Sequence, residues 1–377
     1  MKSDKYSRFH FIDENKEFML NFVRYYYSID NADINFQKLN IQFICDLIED
    51  LEFPENHYFI QFFVPVILEL ITVKAKQIQK NEKYSFNFQV KLLKPLEKLL
   101  RKNHSYFIIN MILSSCIMNV LIDILINDDN YDDNNNNNGH IINNDDGGDD
   151  AGYCIHDHSS ENTNVILSIL GMISLGNSIQ TFEVLHYSSL FPKLIHILYS
   201  NSKSCVIKVL WLISNFAISD NPQQIEILFQ KQIISCIIDL LNQFLDCKRK
   251  YSVDVVRELY WSIANIFQSG DVLHIQHLIE KYKFLEITCI LFSNYALRDP
   301  TLLHLILTVL LKIYVRSNND DKKSFTEFIY STATVVPTFE KLIKSPVYAN
   351  FHSQLNSVLQ LILNHDPDYH QRGNEEL

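Results

Sequence analysis

Two stretches of this 377-residue sequence hold residues whose types and spacing suit chemistry at a surface. Trp211 is followed by Asn215, and Trp261 by Asn265. These are the only two tryptophans in the chain, and they lie 50 residues apart at the same place in two similar segments. A separation of four puts Trp and Asn on one face of a helix, one turn apart. An Asn amide both donates and accepts, so it can pair the N–H and C=O groups of an extended backbone. An indole face holds the aliphatic stem of Lys or Arg and attracts its charge. Repeated in adjacent segments, the two pairs suit capture of an extended basic peptide. Trp at a helical apolar position commonly serves as core, and Asn215 and Asn265 could instead bond a neighbouring helix.

The other candidate constellations are weaker. Cys154-Ile155-His156-Asp157-His158 is rich in metal-ligating types. It lacks a second paired cluster and a helical frame, so no metal is expected. The sequence has no Gly-rich phosphate loop, no Gly-x-Ser-x-Gly and no His-Glu-x-x-His. We therefore expect no enzyme, no cofactor and no small-molecule substrate. The net charge of −11 disfavours nucleic acid as a partner.

The elements that carry these residues follow from a repeated pattern. Hydrophobic residues make up 47% of the chain, which has only 8 Gly and 9 Pro. Four of the glycines fall in one segment, so the rest reads as long helices joined by short loops. Branched apolar runs recur and close at Ile71, Leu125, Leu198, Leu241, Leu291 and Ile343. Their separations are 54, 73, 43, 50 and 52, and the outlier contains the Asn/Asp/Gly-rich segment 127–163. A period of about 40 to 50 is that of armadillo or HEAT repeats, whose helices hide their apolar faces only by stacking on neighbours. Pro65, Pro192, Pro222 and Pro337 suit the first turn of a helix, where a missing N–H costs nothing. A final helix is expected from about Tyr348 to Leu363.

The reading that results is an all-α solenoid of about six repeats of armadillo or HEAT type, interrupted by a disordered loop. Divergent armadillo-like repeats fill 1–126, the insertion 127–163, better-patterned repeats 164–365, and a polar tail 366–377. The seven cysteines are odd in number and scattered, with no Cys-x-x-Cys. That suits a reduced compartment, with most of them as small core residues. The first residues are too polar for a signal peptide, and no apolar run is long enough to span a bilayer. A cytoplasmic and nuclear location is expected.

The segment from about Asn164 to Arg316 resembles the later armadillo repeats of the importin-α (karyopherin-α) family. The matching residues are Gly176-Asn177-Ser178-Ile179-Gln180-Thr181, Trp211-Leu212-Ile213-Ser214-Asn215 and Asn221-Pro222-Gln223-Gln224-Ile225. Arg257-Glu258-Leu259-Tyr260-Trp261-Ser262-Ile263-Ala264-Asn265 and the following Ser269-Gly270 complete them. The resemblance implies a right-handed armadillo-repeat superhelix, in which the third helix of each repeat lines a concave groove for Lys/Arg-rich nuclear localisation signals. It implies that Trp211, Asn215, Trp261 and Asn265 form the second, C-terminal cargo site. Glu258 would add negative charge beside bound basic side chains. The implied function is a nuclear import adaptor; the alternative is an armadillo interaction scaffold without import activity. Some positions depart from the family. Lys208 stands where Glu258 stands in the next repeat and would repel a basic peptide. Ser168 and Met172 occupy the preceding pair position, and Thr308 and Lys312 the following one. The main N-terminal cargo site has no equivalent, and no Arg/Lys-rich segment for importin-β is evident, so importin-β engagement stays open.

Overall fold

The branched apolar runs become helices that bury most of their residues and keep a few polar ones exposed, such as Asp123, Asp239 and Glu340. A computed structural model describes residues 87–102, 106–127, 159–218, 221–247, 252–316, 319–332 and 334–363, with 21, 64, 65, 68 and 72. Most of 1–86 and the stretch 128–158 lie outside the described residues. So do most of the Val64–Ile71 run, the Cys154–His158 cluster and the tail 366–377.

The described residues form helices and no strand. In chain order they are α1 (Asn87–Lys102), α2 (Tyr106–Ser114), α3 (Ile117–Asn127) and α4 (Ser159–Ser174). Next come α5 (Ser178–Leu185), α6 (Leu190–Leu198), α7 (Lys203–Ala217), α8 (Pro222–Gln230) and α9 (Ile233–Leu245). The last are α10 (Val253–Ser269), α11 (Val272–Glu280), α12 (Phe284–Tyr295), α13 (Pro300–Arg316), α14 (Asn319–Ser331), α15 (Val335–Lys344) and α16 (His352–Leu363). A short first helix, an apolar second and a long third thus recur, as in α8, α9 and α10. The apolar runs read from the sequence are the second helices α3, α6, α9, α12 and α15. In α9 the buried Ile233, Ile234, Ile237, Ile238, Leu241 and Phe244 follow the 3.6-residue period.

Helix ends agree with the Pro and cap signals. Pro222 opens α8, with the Asn221 side chain accepting from the Gln223 amide. Pro192 and Pro337 fall within the first turns of α6 and α15. The expected last helix begins instead with a 3-10 turn, Pro346–Phe351, before α16. α4 begins at Ser159, so 159–163, read as the end of the insertion, are helical and Asn162 and Thr163 are buried. Turns between first and second helices use a left-handed residue, Gln232 (φ 63°) before α9 and Lys283 (φ 53°) before α12. Of the five described cysteines only Cys205 and Cys289 are buried. The expectation that most would be core fails for Cys116 and Cys247, which sit at helix ends where the chain turns outward.

The chain divides into two units, Met1–Leu212 and Ile213–Leu377, and the division falls within α7. In the first unit α1 packs along α4, α5 packs on α2 and α4, and α3 packs on α4 and α6. A buried capping residue ties α5 to α2. Asn177 accepts from the Gln180 amide, and the Gln180 side chain accepts from the Asn177 amide. The other end of Gln180 donates to the Tyr106 carbonyl (3.1 Å) and to Asn110 (2.8 Å). A Cβ at Gly176 would push the Gln180 side chain out of this position. The Gly176–Thr181 match is therefore a structural cap. Gln180→Ala should cost about 2 kcal/mol in chemical denaturation, from the loss of its half of the capping box and of its two bonds to α2. Asn177→Ala, which keeps the bonds to α2, should cost about half as much.

In the second unit α13 packs along α10, α16 along α13, and α12 on α9, α13 and α15. Its core is aromatic: Tyr260 and Phe267 of α10 both stack on Phe284 of α12, at 5.4 Å between ring centroids. The fully buried Tyr260 hydroxyl meets the Thr288 hydroxyl at 3.1 Å, so no polar atom is stranded there.

Candidate functional site

The third helices carry every residue singled out from the sequence, and they present them in the same register. On α10 one row reads Asp254, Glu258, Trp261, Asn265, at i, i+4, i+7 and i+11. On α7 the row at the same offset reads Ser204, Lys208, Trp211, Asn215, and on α13 it reads Thr301, Leu305, Thr308, Lys312. Only the α10 row combines acids with an indole.

The α10 row belongs to the second unit. Trp261 is 39% exposed, an unusual position for the largest side chain in a helix packed on both flanks. Glu258, half-buried one turn before it, feels three influences. Burial lifts its carboxyl above the ordinary range and Asp254 lifts it further, while Arg257 opposes them. Arg257 is turned toward α13: it donates to Asp299 at 2.7 Å and lies 3.5 Å from Asp254. Asp299 also caps α13, accepting from the Thr301 and Leu302 amides at 2.9 and 3.0 Å. Burial pushes the Asp299 carboxyl up, but the Leu302 amide, Arg257 and the Thr301 amide together hold it below its usual value.

Asn265 is buried, and its amide donates to the carbonyl (3.2 Å) and hydroxyl (2.7 Å) of Ser214 on α7. That is the neighbouring-helix role stated beside the peptide role. Asn215 is buried as well, 4% exposed, in the same unit. Of the five residues singled out, Trp261 and Glu258 thus offer accessible surface in this unit, while both asparagines are largely enclosed.

The α7 row of the first unit is arranged differently. Lys208 donates to the Asn164 carbonyl (2.9 Å) and to the Ser168 hydroxyl of α4. Trp211 is half-buried, and its six-membered ring covers Gly171 so closely that any Cβ there would overlap it. Neither Gly171 beneath the indole nor the Lys208 contact with Ser168 was foreseen from the sequence. A signal existed: Asn164, Ser168 and Gly171 repeat the spacing of Ser204, Lys208 and Trp211. Among the described residues no cluster of three or more His, Cys, Asp or Glu is placed to hold a metal ion.

With this geometry in hand, comparison with known proteins places the fold. The chain is similar to armadillo-repeat solenoids. A designed armadillo repeat protein superposes with a TM-score of 0.54 at 17% identity, covering 79% of this chain and 99% of its own. Another, solved in complex with the peptide (KR)4, gives a TM-score of 0.55 at 18% identity and the same coverage. A third engineered protein gives 0.58 at 13% identity, over 90% of this chain and 68% of its own. No family model and no curated protein matches the sequence. The all-α armadillo architecture expected from the sequence is thus what the fold shows.

Proposed function

We propose that this chain is an importin-α-like nuclear import adaptor that holds Lys/Arg-rich segments of cargo proteins along its third helices. The observation that carries the reading is the α10 row, where the exposed Trp261 indole follows Asp254 and Glu258 on one helical face. An aromatic plate beside two carboxylates recognises a long cationic side chain by stem packing, cation–π attraction and charge together. The designed armadillo protein with (KR)4 supports this, because the same fold there holds a peptide of that composition. Asn265, fixed by Ser214, sets the helix spacing next to Trp261, and Trp211 with Asn215 are the corresponding residues of α7. Passage between cytoplasm and nucleus belongs to the proposal, and importin-β is its candidate carrier.

The captive Lys208 favours a second reading, an armadillo scaffold that holds protein partners without importing them. One titration separates the two. A fluorescent alternating Lys/Arg octapeptide should bind the purified chain saturably, with anisotropy that falls as salt rises. A Glu-rich octapeptide should give no signal. Absence of binding by folded protein would leave the scaffold reading.

A further inference from the structure

On the surface of α4, Asn164, Ser168 and Gly171 stand at i, i+4 and i+7. α7 meets each of them in turn. The Asn164 amide donates to the Ser204 hydroxyl at 2.9 Å, Lys208 donates to the Asn164 carbonyl and the Ser168 hydroxyl, and Trp211 covers Gly171. A further bridge, Lys94 to Glu161 at 2.8 Å, ties α1 to the first turn of α4.

The Lys208 end of this row has the makings of an ammonium site. A main-chain carbonyl and a hydroxyl supply acceptors, and an ammonium has three donors and no need to accept. Glu97 on α1 is paired with Arg101 at 2.7 Å, so the acceptors of the site, and not the charge of α1, hold the ammonium. An indole lies one turn away on the same helix. We propose that α4 and α7 form a lysine-ammonium site that the chain fills with its own Lys208, which excludes an external lysine from this row. This rests on the reading of the chain as a basic-peptide binder, and it names the residue that limits how far along the third helices such a peptide is read. A tethered ammonium outcompetes a free one because its effective concentration is about millimolar or higher. Burial also draws the Lys208 ammonium below its ordinary pKa, so it is partly stripped of water, as an ammonium seated in a site would be.

The test uses the two tryptophans as separate reporters. In the full chain carrying Trp261→Phe, Trp211 is the sole indole, and its emission should stay flat on titration with hexalysine. Adding Lys208→Met keeps the stem and removes the ammonium. The emission should then shift saturably with hexalysine. Fully acetylated hexalysine should leave it flat. If Lys208→Met unfolds the protein by circular dichroism, Lys208→Gln takes its place, since a neutral amide can still donate to Ser168. A flat response in the folded variant, or an equal response with Lys208 intact, overturns the proposal. Trp211→Phe protein, in which Trp261 reports alone, tests the parent reading separately. A silent Trp261 with a responsive Lys208→Met variant sinks the parent reading only, the reverse sinks the Lys208 site only, and silence in both sinks both.

Discussion

Trp261→Ala should weaken binding of an alternating Lys/Arg peptide by about thirtyfold, the loss of roughly 2 kcal/mol expected of an aromatic hot spot. With only 39% of Trp261 exposed, the packing of its buried part is lost too, so folding stability should fall by about 2 kcal/mol, and affinity is read where the variant is still folded. Isothermal titration beside a thermal melt reads both. Trp261→Phe should recover part of the affinity, since a smaller ring keeps the plate but holds less stem. The same site predicts a pH dependence. Glu258 is held above the usual carboxylate range, chiefly by burial. A cationic ligand favours its ionised form, so affinity is full above that raised pKa and declines as pH falls through it. Glu258→Gln should lower affinity and flatten this part of the profile. An unchanged profile in Glu258→Gln would show that another acid, such as Asp254, carries the effect.

Asp299→Ala has the second large effect, and it acts through the fold. The substitution removes the cap of α13 and strands Arg257, so a loss of about 2 to 3 kcal/mol is expected in urea denaturation. Asp299→Asn can still cap and should recover about half of that loss. The folded-state pKa of Asp299 is depressed, so its contribution to stability is complete above the unfolded carboxylate value of about 4 and is lost as pH falls through the folded value. The acid limb of the wild-type stability curve should therefore be steeper than that of Asp299→Asn. Peptide binding should weaken too. With Asp299 gone, Arg257 is released toward Glu258, its neighbour in sequence, and competes with a cationic ligand.

The period of the apolar runs was enough to locate the second helices α3, α6, α9, α12 and α15, because helices that bury most of their residues leave a dense apolar pattern that needs no partner to read. Third helices were legible through Trp211 and Trp261, whose equal placement in two repeats is visible without coordinates. What could not be read was which way those side chains turn. Asn265 faces Ser214 and Lys208 faces Ser168 because the neighbouring helix offers a polar atom at one height. That height depends on how the helices stack, a property of pairs of segments about 40 to 50 residues apart. The Gly176–Thr181 signature illustrates the same limit. Its residues were recognisable, but their work, a glycine making room for a buried Gln180 that caps α5 and ties it to α2, is a matter of three dimensions. The start of α4 at Ser159 escaped detection because the helix begins in polar Ser, Glu and Asn, whose composition matches the insertion.

The reach of the cross-helix bonds has a kinetic meaning. Asn164 to Ser204, Lys208 to Ser168, Arg257 to Asp299 and Asn265 to Ser214 span 40, 40, 42 and 51 residues. The wider ones, Gln180 to Tyr106 and Lys94 to Glu161, span 74 and 67, and both bracket 128–158. Among the described residues most of these bonds close over about one repeat length, so the search for native pairings there is set by the repeat more than by the 377-residue chain. Structure can start at any well-capped repeat and spread to its neighbour, and the widest separation it closes among these bonds is the 74 residues from Tyr106 to Gln180.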